Sequence, residues 1–245
     1  MCTVTWVRES DGFQVLFNRD EKHTRMPAAM PQLCRDLDGV QYLAPRDLDH
    51  GGTWISVNEF GVCVCLLNGI GRTFGSRVSR GLLVQQLAGC RSAQEVLNRV
   101  LSIDLERFAA FVVVGLDAET GSAPACEWDG CRLTIHDRAP MHLTSSSYES
   151  AEVCGQRQIA FEQHVARIQG QVTAENLFEF HQSHGAWPSA YSTCMHRDDA
   201  ETVSFSWIRV RADQVEFFYT PAAPCQWSPG RTMTLSRREV LVPCS

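Results

Sequence analysis

The chain lacks any apolar run approaching the roughly 18 residues that a membrane-spanning helix needs, so no such helix is expected. It also lacks a dense block of Lys and Arg: 22 basic residues stand against 28 acidic ones, for a formal net charge of -6. That balance argues against nucleic acid as the main partner. The 11 cysteines are odd in number and show no C-x-x-C pair, and no charged-then-apolar leader precedes them. A secreted disulfide framework is therefore not expected, and a reducing, cytoplasmic setting is. With no internal repeat and no low-complexity linker, 245 residues are expected to form a single domain, 1-245, large enough to bury most of its unfolded surface.

What the chain does contain is a strongly patterned run of strands. Residues 2 to 8 (CTVTWVR) and 13 to 19 (FQVLFNR) are rich in β-branched and aromatic side chains, and ESDG between them supplies a turn, which predicts a β-hairpin. Asp20 to Gly52 carries several prolines without a clear period and reads as an irregular loop. Strands follow at 53 to 59 and 62 to 68, then two helices on the spacing of Val78, Leu82, Leu83 and Leu87 and of Val96, Leu97, Val100 and Leu101. Strands return at 111 to 117, 124 to 129, 132 to 137 and 141 to 147, and FVVVG, apolar on both faces, suits a central covered strand. Helical spacing occupies about 150 to 181, with Thr173 as an N-cap. Strands at 202 to 211 and 214 to 220 precede an extended strap from Pro221 to Ser245. This order predicts an α+β fold of two packed antiparallel sheets with a helix pair on each outer face.

The hairpin supplies the chemistry. Pairing Glu9 with Gly12 places Cys2 opposite Arg19; moving the turn one residue onward places it opposite Glu21. Either register brings Asn18, Arg19, Asp20 and Glu21 to Cys2, a dense polar cluster that would be costly to bury unpaired. Removal of Met1 would leave the thiol and a free α-amine on one residue, the layout of an N-terminal nucleophile. The thiolate is the attacking species, and a neighbouring Arg favours it. A free α-amine titrates near ~7.7–8.0 and is suited to taking the thiol proton and returning one to a leaving amine. Asp20 is a candidate to orient that amine. Asn68, before Gly69 at a strand end, is a candidate oxyanion donor, although turn formation is the commoner use of Asn-Gly.

MCTV at 1 to 4, FNRDE at 17 to 21, GGTWISVNEFG at 51 to 61, LLN at 66 to 68, SSS at 145 to 147 and TCMHRDDAETVSFS at 193 to 206 resemble the NRDE family of Transport and Golgi organisation protein 2-like proteins, over nearly the whole chain. The resemblance implies an N-terminal-nucleophile (Ntn) hydrolase fold, a four-layer αββα sandwich similar to that of choloylglycine hydrolases and penicillin V acylases. It further implies Cys2 as nucleophile, Arg19 and Asp20 as activators and Asn68 as a polar group of the site. Two positions depart from the wider pattern. Where such relatives often carry a later-strand Asn, this chain offers Ser145 or its neighbours; where many carry a Gly-Thr-Arg-Ser run, it reads Glu201-Thr202-Val203-Ser204, leaving Arg197 as the nearby substitute. The resemblance also links the family to haem mobilisation and to acyl-CoA and lipid metabolism.

Metal ligation has less support. Cys194-x-His196, Cys63-x-Cys65 and His181-x-x-His184 are local pairs, but none forms a four-ligand set of recognised spacing, so no metal site is expected. Cys63 and Cys65 share one strand face and read as small core residues. The same pairs could ligate haem axially. Core packing is the default for Trp54, Trp187, Trp207 and Trp227. Two functions follow: a cysteine amidohydrolase acting on a small non-peptide amide after loss of Met1, with no cofactor, or a carrier of haem or an acyl-CoA or lipid-like ligand on the same fold.

Overall fold

A computed structural model describes residues 2–71, 78–120, 123–226 and 228–238. One sheet has six strands in the order β10-β1-β2-β11-β12-β13 and the other seven in the order β3-β4-β5-β6-β7-β8-β9, every pairing antiparallel. The first is built from β1 (Cys2–Glu9), β2 (Gly12–Lys22), β10 (His142–Ser145), β11 (Ala200–Val210), β12 (Gln214–Thr220) and β13 (Arg231–Ser236). The second is built from β3 (Ala29–Arg35), β4 (Gln41–Arg46), β5 (Ile55–Asn58), β6 (Cys63–Asn68), β7 (Phe111–Leu116), β8 (Ala125–Trp128) and β9 (Leu133–His136).

The layers follow from period-two alternation. Val4, Trp6, Phe13, Val15 and Phe17 of the first sheet meet Ile55, Val57, Cys63, Cys65, Leu67 and Val114 of the second in one buried cluster between the sheets. Cys63 and Cys65 lie there as core residues, 3.8 Å apart at sulfur. On the far side of the second sheet, Val64, Leu66 and Val113 pack against Leu83, Val84, Val96 and Val100 of helices α1 (Gly81–Leu87) and α2 (Ala93–Leu101). On the far side of the first, Leu16 and Phe205 pack against Phe161, Leu177 and Phe180 of α3 (Ser150–Arg167) and α4 (Ala174–Gln182). The result is an α+β sandwich with helices outside both sheets. Thr173 caps α4 by accepting from the Asn176 N–H, as its sequence position predicts.

Two expectations about irregular chain are corrected. The segment from Asp20 to Gly52 contains β3 and β4 rather than only loop. Its prolines obscured them, yet β3 is the edge strand of its sheet, with Leu33 51% exposed, and an edge tolerates a residue without an N–H. The strap after Pro221 likewise contributes β13, which pairs with β12 at the opposite edge of the other sheet.

Candidate active site

The hairpin adopts the first of the two registers: Glu9 pairs with Gly12 and Cys2 with Arg19, while Cys2 pairs with Ser145 of β10 on its other side. The backbone N of Cys2 donates to Ser145 Oγ at 3.2 Å. Cys2 and Arg19 both face the space between the sheets. There the Arg19 guanidinium lies 4.2 Å from the centre of the Trp54 ring, a cation–π contact. Arg19 also pairs with Asp47 at 3.1 Å and Glu21 at 3.4 Å. Arg25 extends the network to the same Asp47, to Asp49 at 3.2 Å and to Glu21 at 3.7 Å.

These side chains border a pocket of about 260 Å³ whose wall includes Cys2, Glu21, Thr53, Trp54, Asn68 and Arg80. The glycine-rich GGTW segment makes that wall possible. Gly51 has φ +73°, and a Cβ on Gly52 would fall 2.4 Å from the Gly81 backbone, so only glycine allows the N–H of Thr53 to donate to the Gly81 carbonyl at 3.0 Å. The close approach docks the start of α1 on the pocket rim and sets Trp54 beneath Arg19.

Burial pushes the Cys2 thiol above its ordinary pKa; the positive charges of the chain's amino end and of Arg19 pull it down, while Asp20 and Glu21 push it up. Asn68 ends β6 opposite Phe111, and its side-chain amide makes no hydrogen bond among the described residues. Arg80 is a site residue that sequence reasoning missed. Its Nη1 donates to the Ala110 carbonyl at 2.8 Å, and it has no carboxylate partner among the described residues. Burial lowers its pKa, and the charges of Cys2 and Glu21 raise it. Asp47 was missed because it sits in the segment read as loop. The sequence signal for Arg80 was no more than a cation immediately ahead of the apolar run Leu82, Leu83 and Leu87.

Asn18 and Asp20 point the other way, Asn18 toward α4 and Asp20 toward α3. The Asn18 side-chain amide donates to the carbonyls of His181 and Thr193, both at 2.9 Å. The Asp20 carboxylate is held by Arg157 Nη1 at 3.1 Å and Thr202 Oγ1 at 2.7 Å. Arg157, fully buried, also reaches Thr3 Oγ1, Thr144 Oγ1 and the Ala190 carbonyl. Asp20 borders the pocket as well. Arg197 is not brought to the pocket: it pairs with Asp199 at 2.6 Å and lies over the Tyr148 ring. The buried cation near the later strand is Arg157, and its helical position gave no motif to find it by.

Of the other candidates, His181 does not join His184. It is buried and bonded through Nε2 to Thr5 Oγ1 at 2.9 Å, and burial pushes its pKa down to about 3. Cys194 and His196 instead meet His184 and Cys225 at a separate cluster. Trp54 borders the pocket, Trp187 is 80% exposed, and the indole of Trp207 donates to Gln14. Trp227 and Met1 lie outside the described residues.

The sequence matches the model of the Transport and Golgi organisation 2 family over residues 1–218. The chain belongs to that family. No curated protein matches it in sequence. Among solved structures, a variant of conjugated bile acid hydrolase from Clostridium perfringens is similar with a TM-score of 0.62 at 12% identity, covering 98% of this chain and 97% of that one. A second mutant of that hydrolase gives 0.58 at 10% identity over 98% and 97%. The Caenorhabditis elegans ortholog of N-acylethanolamine-hydrolyzing acid amidase gives 0.59 at 8% identity, covering 85% of this chain and 92% of that one. At such identities the likeness concerns the fold, which is Ntn-hydrolase-like. No described helix is long and apolar enough to cross a membrane.

Proposed function

We propose that this member of the Transport and Golgi organisation 2 family is an N-terminal cysteine amidohydrolase acting on a small non-peptide amide after removal of Met1. The observation that carries the proposal is the thiol of Cys2 at a pocket wall, register-paired with Arg19 and with its backbone N on Ser145 Oγ. With Met1 gone, that N becomes an α-amine and Ser145 is its anchor.

In this mechanism the neutral α-amine takes the thiol proton, and Arg19 favours the thiolate. Sulfur attacks the amide carbonyl carbon, and the oxygen, now an oxyanion, faces the Asn68 amide and Arg80. The C–N bond breaks as the α-ammonium returns its proton to the leaving amine, giving a thioester on Cys2. Water attacks the thioester after losing a proton to the α-amine, releasing the acid and the free thiol. Asp20 acts from behind by fixing Arg157 and Thr202, which hold the strand ends that present Cys2 and Arg19. The similar folds of a bile acid hydrolase and an acid amidase, both named for hydrolysis, support this reaction class.

A carrier role for haem finds less support, because the wall holds Arg19, Glu21, Arg25, Asp47 and Arg80 rather than an apolar slot. Turnover of a panel of N-acyl amides by the processed protein tests the proposal. Release of amine that Cys2→Ser abolishes is the expected result; binding of acyl ligands with no release, unchanged in Cys2→Ser, would replace the hydrolase with a carrier.

A further inference from the structure

A second cluster of reactive side chains lies away from the Cys2 pocket. His184, Cys194 and His196 come from the segment between α4 and β11, and Cys225 from the turn after β12. One ligand atom from each of the four lies within 4.8 Å of all the others. Cys194 Sγ is 3.7 Å from His196 Nε2, which is 3.3 Å from Cys225 Sγ. A tetrahedral zinc ion with Zn–S near 2.3 Å and Zn–N near 2.0–2.1 Å has ligand-to-ligand edges of roughly 3.3–3.8 Å. Both distances fall on that scale.

We propose that His184, Cys194, His196 and Cys225 form a structural Cys2His2 zinc site. Four protein ligands would fill every tetrahedral position, so the site is closed and holds structure rather than activating water. Several independent features fit a metal. His184 Nε2 is buried with no hydrogen-bond partner among the described residues. Its ring lies 5.1 Å from that of His196, so two imidazoles converge where one charge would repel another. His196 Nδ1 lies 3.8 Å from a Glu201 carboxylate oxygen, so a small approach of the two side chains on metal binding would make Glu201 the outer partner that fixes the ring with Nε2 toward the metal. Binding would release one proton from each thiol, giving a site with no net charge around the dication.

The position explains what such an ion would do. The segment from Gly185 to Asp199 carries no helix or strand, and zinc would tie both of its ends to the β12 turn. Met195, between two of the ligands, exchanges hydrogen bonds with Thr202, its N–H donating to Thr202 Oγ1 at 2.8 Å and its carbonyl accepting from the Thr202 N–H at 2.8 Å. Thr202 in turn donates to Asp20, and the neighbouring Thr193 carbonyl accepts from Asn18. The metal cluster therefore braces the residues on either side of Arg19.

The test is metal content and cobalt titration of the full-length, reduced protein. One equivalent of zinc should copurify. Cobalt(II) added after chelation should give tetrahedral d–d bands and thiolate-to-metal charge transfer at one equivalent, and zinc should abolish both. Cys2→Ser and Cys63→Ser should leave that spectrum intact, which separates this site from the other thiols. Cys225→Ser should lose the charge-transfer intensity of one thiolate and drop bound zinc below one equivalent. Glu201→Gln should keep the fold and weaken zinc by about 10–100-fold. No stoichiometric zinc and no cobalt–thiolate spectrum would overturn the proposal, as would a cobalt spectrum that survives in both Cys225→Ser and His184→Ala.

Discussion

On the inner face of the β1–β2 hairpin, Cys2 and Arg19 stand beside a pocket; on its outer face, Thr3 and Asp20 are locked into a buried network with Arg157, Thr144 and Thr202, and Asn18 is bonded to the His181 and Thr193 carbonyls. The residues are interleaved along the same two strands, so alternation alone separates them. Inner-face Arg19 is paired with Asp47 and Glu21 at the pocket edge, while Asn68 of β6 and Arg80 ahead of α1 line the same pocket with hydrogen-bonding capacity that a substrate can use. The outer-face groups Thr3, Asn18 and Asp20 bond to buried protein partners instead. A motif such as FNRDE therefore mixes two jobs, and membership of the motif does not place a residue in the site.

The comparison breaks most readily at Arg157. Replacing it with Met removes the cation paired with the buried Asp20 carboxylate, expected to cost about 3–5 kcal/mol in urea unfolding; a cost under about 1 kcal/mol would show that the outer network is not structural. Asn68→Ala should do the reverse, slowing acylation of Cys2 about 10²–10³-fold while moving stability by no more than about 0.5 kcal/mol.

Acid separates the faces as well. Burial pushes His142 down to about 4 and His181 down to about 3, and both belong to the outer layer. An unfolded chain protonates these histidines near ~6.5 while the folded one does not. Their contribution is present above that pH and is lost as pH falls toward 4, with a slope of up to about 1.4 kcal/mol per pH unit for each. Unfolding midpoints between pH 7 and 4 check this, and His181→Gln should flatten the curve. Thiol chemistry should also rise with pH, but over a higher range, as the α-amine of a processed Cys2 loses its proton. The smallest effect is expected at Arg19→Leu, where a higher thiol pKa should slow alkylation of Cys2 about tenfold per pKa unit, read by peptide mass.

Much of this was legible in the sequence. The turn narrowed the hairpin to two registers, of which the structure adopts the one that sets Cys2 against Arg19, and the core role of Cys63 and Cys65 followed from alternation. Asn68 was legible as a residue at a strand end. Residues joined only by folding were not. Arg80, just ahead of α1, and Arg157, within α3, lie about 60 and 140 residues onward from the hairpin, and an Arg in or beside a helical pattern looks like solvated charge. The same limit hid Cys225, which joins Cys194 and His196 without any local spacing. Prolines masked β3 because an edge strand can carry what a central strand cannot.

The central claim is that Cys2 becomes the first residue and carries the acyl group. Mass analysis of the intact protein and of its N-terminal peptide, before and after exposure to a β-lactam or an activated amide, tests it most directly. The account predicts that Met1 is absent and that one adduct forms on Cys2 and is missing from Cys2→Ala. Retention of Met1 in material that still turns over substrate, or an adduct indifferent to Cys2→Ala, would contradict it.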